Sequence, residues 1–587
     1  MDHEGMILRP ILTLFILTGL LVIASCNPNV KTEHSHKTNS TKGHANQIQI
    51  GTPTAIRTID QKYGGVLTLA NRGDPPAGFD PLRTSSIALH HVGGALFGPS
   101  NLVRRCRQDF YKICPNLAEK WLVDQSNTKW TFSIRKDAYW HDGTQVTAED
   151  IKFWFDMAYY GVSISNQFRP PAYFKSELGG IENISILDTH RIQFELIDRN
   201  PYFLDIIANP RFKIAHAKHL TLEHMNKGNL SVSPIEMGLV GLGPFKLNQY
   251  NKGSLIRLDR WEKYWEQSDT GNLPYLNRID YVIMPDPFSM DVAFRTGKLD
   301  GGARGQAHYL TSERKSGYLK DLPDEVFFSE TDGGNFRLAF NILKEGPWQD
   351  QNVRRAIALW IDKKAAIDSV LGGFGWTTPD LSPPNIVMPI GRSNLINWPK
   401  FDRDPLDIKR SRARQLLEDS GNNEGFSMGH LCRSINTVPC EYLQSQLEGL
   451  GIDLQLNIVE EGQWNKARGS IEYDSQQGRL TPSPIPEGTE SVYGRYSKNP
   501  DAYAKHEDQE LDRMYRLLRD ALLPDRRAEI WRSIEKYLYV DKTYVIPIAE
   551  SINVIPYRTY VKNLSIPPED THSYTDFTEV WIETSNK

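Results

Sequence analysis

Several places in this chain set side chains together that do chemistry in other proteins. His141 stands beside Asp142 in YWHDGT, a pair able to hold a metal or pass a proton. The glycine that follows makes the same residues a tight turn, and the turn accounts for the aspartate without any chemistry. His219 and His224 lie in HLTLEH, one residue too long for the H-x-x-E-H metalloprotease spacing, and ligand geometry depends on helical spacing. His34, His36 and His44 read either as a metal-binding tract or as part of a solvated linker. No H-E-x-x-H, Walker loop or G-x-G-x-x-G occurs, which removes the motif arguments for a zinc protease or a nucleotide-binding enzyme. No catalytic residue, cofactor or metal site is expected.

The elements around these residues are clearer than the residues themselves. In KWTFSIRKDAYWHDGTQVTAEDIKFWFDM, Trp130, Phe132 and Ile134 alternate with polar residues, the period of a half-buried strand. Asp142-Gly143 supplies a tight turn. Thr147 can cap a helix whose Glu149 and Asp150 complement its positive end, and Ile151, Trp154, Phe155 and Ala158 share one face of it. Further strands are predicted over Gly65–Ala70, Ile192–Leu196, Phe336–Asn341 and Leu454–Ile458. Helices are predicted over Asp350–Asp362, Asp362–Leu371, Asp508–Leu522 and Pro524–Leu538, and Pro405–Gly421 reads as loop plus helix. The stretch from Thr481 to Asn499 is a proline-rich loop.

Length and composition bound the rest. A chain of 587 residues with 39% hydrophobic and 24% charged content has room for two or three domains with real cores. A net charge of −4 gives no basic field for nucleic acid. Ile11–Ile23 is an apolar run too short to span a bilayer readily, and it ends in Ile23-Ala24-Ser25-Cys26. That is the pattern of a bacterial lipoprotein signal with Cys26 as the acylated residue, and Met6 is an alternative start to Met1. Residues 27–60 are polar and read as a flexible tether. Setting Cys26 aside leaves two local pairs, Cys106–Cys114 and Cys432–Cys440, which beyond a membrane suit disulfides worth about 2.5 kcal/mol each. A zinc site is the rival, without a C-x-x-C or neighbouring histidine.

RKDAYWHDGTQVTAEDIKFWF resembles a segment of the peptide/nickel-type (family five) extracellular solute-binding proteins of ABC importers. Phe79-Asp80-Pro81, Leu117–Trp121, Val240–Phe245, Arg260–Trp265, Leu273–Leu276, Phe294–Asp300 and Asp350–Asp362 resemble other segments of that family, in the right order from about residue 62 to 565. The resemblance implies an α/β, two-lobe periplasmic-binding-protein-like fold of class II type, with mixed sheets and a ligand cleft between the lobes. The first lobe is expected over 61–335 with the return segment 541–587, the second over 336–540, after a signal at 1–26.

The implied function is capture of a peptide or peptide-like solute by hinge closure and delivery to a permease, with ATP hydrolysis on other subunits. The implied protein is a monomer without nucleic-acid partners, lipid-anchored on the outer side of the cytoplasmic membrane or in the periplasm. A sensor or adhesin on the same fold, a receptor for a sugar, opine or metal chelate, and a secreted enzyme with an unrecognised site are the other readings. The family's amine-binding aspartate has no clean counterpart. Asp474 is the nearest, with Tyr473 beside it, and a surface turn is its alternative. Trp376 falls where the second lobe approaches the cleft or in core packing, and Arg72 and Asp74 either project from the first lobe or lie in an exposed turn.

Overall fold

In the computed structural model, residues 62–583 are described except 85, 111, 165, 173–174, 176–177, 179, 303–311, 378–403, 471, 481–502, 522 and 565–574. Cys26, the three N-terminal histidines, the tether and the proline-rich loop lie outside the described residues. In chain order, the first lobe contains β1 (Val66–Asn71), α1 (Ile87–Leu96), β2 (Val103–Arg105), β3 (Ile113–Pro115), β4 (Ala118–Val123), β5 (Lys129–Ile134), α2 (Ala148–Tyr159), β6 (Ile181–Asp188), β7 (Arg191–Leu196), β8 (Phe245–Asn251), β9 (Leu255–Arg260) and β10 (Arg278–Ile283). β11 (Val326–Phe340) crosses to the second lobe. There follow α3 (Gln351–Trp360), α4 (Lys363–Val370), β12 (Gly375–Trp376), α5 (Leu406–Asp419), β13 (Phe426–Arg433), α6 (Thr437–Glu448), β14 (Ile452–Val459), β15 (Ser475–Leu480), α7 (Gln509–Asp520) and α8 (Pro524–Lys536). β16 (Val545–Arg558) returns.

The strand–turn–helix stretch forms as its periodicity predicts. Trp130, Phe132 and Ile134 of β5 face the core, and Trp140, Ile151 and Trp154 are fully buried beside them. β5 pairs with β4 and β7 in a separate sheet of order β4-β5-β7-β6. The start of α2 is closed by a capping box: the Thr147 side chain accepts from the Asp150 amide, and the Asp150 carboxylate accepts from the Thr147 amide and hydroxyl, each at 3.0 Å. His141 is a pin. Its Nε2 donates to the Gly243 carbonyl at 2.9 Å and its Nδ1 accepts from the Gly241 amide at 3.1 Å. Burial pushes its pKa down to about 4, so the ring is neutral and joins two distant loops.

One sheet runs through both lobes. β1 pairs in parallel with β10, and β9 and β8 follow antiparallel. Gly301 bridges Leu69 of β1 to Tyr557 of β16, and β16 pairs with β11 over nearly their whole lengths. In the second lobe the order is β12-β16-β11-β15-β13-β14. The first crossing strand is therefore far longer than the short run predicted at Phe336–Asn341. Leu89, Val92 and Leu96 of α1 pack on Leu69, Ile279 and Tyr281 in one apolar core. Val353, Ile357 and Trp360 of α3 pack on Phe336, Leu338, Ile546 and Ile548 in another.

Disulfides join Cys106 to Cys114, with sulfurs 2.08 Å apart, and Cys432 to Cys440, 1.99 Å apart. The first closes the β2–β3 hairpin, in which Arg104 lies opposite Cys114. Arg107 in this loop meets Asp576 at 2.5 Å and Glu266 at 2.7 Å, so the hairpin holds the C-terminal segment by a buried ionic network.

Candidate functional site

The candidate site is where the crossing strands leave one apolar core and enter the other. The register of β11 and β16 sets their side chains. On one face, Phe327 stacks on Tyr557 at 5.6 Å, and Ile555 joins them in the first lobe's core. Farther along the same face, Phe336 and Leu338 lie with Ile546 and Ile548 in the second lobe's core. A bulge between Asp332 and Gly334 keeps the same face on both sides. Between these apolar ends come Ser329 and Thr331 on β11, and Ser551 and Asn553 on β16. Thr331 lies directly opposite Asn553. All four are buried, Ser329 to 4% and Thr331 to 3% exposure. Among the described residues the hydroxyls of Ser329 and Thr331 have no hydrogen-bond partner.

This polar interval lies beyond the carboxyl end of β1, the place where open α/β sheets hold ligands. Asn71 ends β1, its amide donating to the carbonyls of Gly73 at 2.9 Å and Ala88 at 3.2 Å. The loop that follows is held at both ends. The Asp74 carboxylate accepts from the Tyr250 hydroxyl at 3.0 Å and the Gly253 amide at 2.8 Å. Ala77, Gly78 and Phe79 then make a left-handed turn with φ of 54°, 65° and 66°. A side chain at Gly78 would lie 2.4 Å from the Ser233 hydroxyl. Asp80 closes the loop, its buried carboxylate meeting His216 Nε2 at 2.9 Å and Arg169 at 2.8 Å. Burial would raise the Asp80 pKa, but His216 and then Arg169 outweigh it and hold the carboxyl below its ordinary value.

The residues singled out from sequence fall in three places. Arg72 is exposed, next to the engaged Asp74 at the end of β1. Trp376 pairs through its backbone with Glu550 on β16, beside the polar interval. Tyr473 and Asp474 precede β15 where Ser475 lies opposite Phe340. Six residues separate Asp474 from Leu480, roughly 20 Å of strand, so they are not brought to the interval. Asp474 is 8% exposed and is not a surface turn: its carboxylate meets Lys344 at 2.7 Å and accepts from the Gly429 amide at 2.6 Å. The Tyr473 hydroxyl accepts from Gln476 at 2.8 Å, and burial pushes its pKa well up. Ser329, Thr331, Ser551 and Asn553 escaped the sequence reading. Their trace is the polar run SETDGGN between Val326–Phe328 and Phe336 of β11, and Ser551 and Asn553 on either side of Ile552 in β16.

A further contact lies outside the crossing strands. The Arg527 guanidinium of α8 lies over the Tyr202 ring at 4.2 Å. Nearby, Asp205 pairs with Arg105 at 2.9 Å. Burial raises the Asp205 pKa, against the pull of Arg105 and Arg527. Among the described residues no three His, Cys, Asp or Glu side chains converge on a metal-sized site, and no helix is long and apolar enough to cross a membrane.

Comparison with known proteins agrees with this architecture. Residues 112–503 match the model of the bacterial extracellular solute-binding proteins, family 5 middle region. The periplasmic oligopeptide-binding protein OppA of Haemophilus influenzae is 25% identical over 538 residues, covering 88% of this chain and 93% of the relative. The dipeptide-binding protein DppE of Bacillus subtilis is 24% identical over 434 residues, covering 71% of this chain and 74% of the relative. Among solved structures, the Helicobacter pylori periplasmic binding protein DppA, in complex with the peptide STSA, superposes with a TM-score of 0.69 at 20% identity, over 89% of this chain and 99% of that one. NikA from Brucella suis, in complex with Fe(III)-EDTA, superposes with a TM-score of 0.71 at 19% identity, over 88% and 100%. With the family model matched over most of the described chain and the two-lobe fold shared with these structures, the chain belongs to the bacterial extracellular solute-binding proteins of family 5.

Proposed function

We propose that this protein captures a short peptide between its two lobes and delivers it to the membrane permease of an ABC importer. The observation that carries the reading is the buried polar interval between two apolar cores on the strands that join the lobes. A hinge there opens and closes a cleft floored by hydrogen-bonding groups. The relatives named for oligopeptide and dipeptide binding, and the solved relative holding STSA, favour a peptide as the solute. In this reading the first lobe comprises 61–335 and 541–587, the second 336–540. The protein does no bond chemistry, and ATP hydrolysis occurs on other subunits. Cys26 carries lipid, 27–60 is a tether, and the monomeric protein works at the outer side of the cytoplasmic membrane or in the periplasm. Trp376, Arg72 and Asp74 are rim residues of the cleft, and Asp474 with Tyr473 supports β15 from its far end.

A second reading keeps the importer role with a non-peptide solute. Solved structures of the same fold hold agropinic acid and Fe(III)-EDTA. Native mass spectrometry of the soluble form beginning near Gln47, purified without refolding, decides between them. The expected result is a mixture of short peptides released on denaturation. A single non-peptide compound overturns the peptide claim, and an empty protein that binds nothing from a peptide pool overturns capture itself.

A further inference from the structure

We propose that Ser329 and Thr331 are ligand-pairing residues, whose hydroxyls hydrogen-bond the main-chain amide and carbonyl groups of the captured peptide. The inference rests on the peptide-capture reading and assigns it two residues on the floor of the cleft.

Burial without a partner is the first ground. Each hydroxyl is shielded from solvent and unpaired. Leaving a polar group in that state costs about 1–3 kcal/mol. Alanine and valine would fit the same strand face at no such cost, and the neighbours on that face, Phe327 and Ile555, are apolar. Two consecutive positions of one face carry the same group, unpaired among the described residues, and a ligand held between the lobes would pair both.

Position is the second ground. Gly301 ties β1 to β16 at the level of Leu69 and Tyr557, and Tyr557 lies opposite Phe327. Two residues on, Asn71 ends β1 while Ser329 continues on β11. Thr331 is a further step out, with Asn553 across from it and Ser551 opposite Gly334. The hydroxyls therefore stand where the first lobe's parallel strands have stopped and the second lobe's core has not begun. Opening the hinge exposes this part of the crossing strands.

Chemistry selects the ligand group. A hydroxyl both donates and accepts, and the four side chains of the interval carry no charge. They suit the alternating N–H and C=O of a peptide chain better than a carboxylate-rich solute, which calls for cations. Pairing with main chain leaves the ligand's side chains unread, as a receptor for many peptides requires.

The test uses the full soluble chain, stripped of ligand, with trialanine and a tryptic casein digest as probes. Calorimetry gives affinity for the former, and mass spectrometry gives occupancy by the latter. Thr331→Val and Ser329→Ala are each expected to weaken peptide binding about tenfold while the melting temperature of the unliganded protein holds or rises. Thr331→Ser, which restores the hydroxyl, is expected to recover the affinity, and Thr331→Ala reads the same loss if valine does not fit. Affinities within twofold of wild type in the hydroxyl-free variants overturn the assignment. So does a melting temperature several degrees lower, which would mark a partner within the chain. If the wild-type protein takes up neither probe, the peptide reading fails first, before any variant is compared.

Discussion

Arg354 shows how much a single side chain can hold here. It is buried, and its guanidinium donates only to backbone carbonyls. Nε reaches Lys542 and Thr543, each at 3.1 Å; Nη1 reaches Trp348 at 2.7 Å and Gln349 at 2.8 Å; Nη2 reaches Lys542 at 2.7 Å. Burial lowers its pKa to about 10, a value at which it still carries its charge at neutral pH. The residue thus fastens α3 to the turn that starts the return strand. Arg354→Met keeps the stem but leaves those carbonyls unpaired, and it is expected to cost about 3 kcal/mol. Urea unfolding measures it; a loss under about 1 kcal/mol would mean that water replaces the guanidinium.

At the scale of elements, the disulfide-closed β2–β3 hairpin and the C-terminal segment depend on one another. Burial would raise the Asp576 pKa, but Arg107 and then Arg104 outweigh it and hold the carboxyl at about 2. A carboxyl whose folded pKa is depressed contributes stability that is complete above its unfolded value near 3.9 and is lost as pH falls through the folded value. The contribution is about 2 kcal/mol, disappearing between roughly pH 4 and 2. Acid unfolding of wild type and Asp576→Asn should therefore diverge above pH 4 and converge near pH 2. Parallel curves throughout would remove Asp576 from the acid response.

At the scale of the whole molecule, distant segments also meet outside the crossing strands. Arg527 over Tyr202, beside the Arg105–Asp205 pair, joins α8 to the first lobe away from the crossing strands. A partly buried cation–π contact is worth about 0.5–2 kcal/mol, enough to shift an open–closed equilibrium about fivefold. Arg527→Ala should raise the radius of gyration of the unliganded protein in X-ray scattering and weaken ligand binding a few-fold. Arg526→Ala is the control, since Arg526 is exposed and paired with Glu529 within its own helix. Identical scattering from both variants would confine closure to the crossing strands.

Local order was legible in the sequence because it depends on near neighbours. The alternation of Trp130, Phe132 and Ile134, the turn at Asp142-Gly143 and the apolar stripe of Val353, Ile357 and Trp360 each state their element within a few residues. The order of such segments along the chain also pointed to the family. The site was not legible in this way. Whether a polar residue on a strand falls between two apolar cores depends on register with a partner more than 200 residues away, as Thr331 opposite Asn553 shows. Whether a carboxylate is free depends on what folds against it: Asp474 looks available in sequence and is taken up by Lys344 and the Gly429 amide. Periodicity thus determined the elements and the kind of fold. Only the tertiary structure decided which side chains are paired and which buried hydroxyls, Ser329 and Thr331 among them, find no partner among the described residues, because pairing is a property of groups brought together from distant parts of the chain.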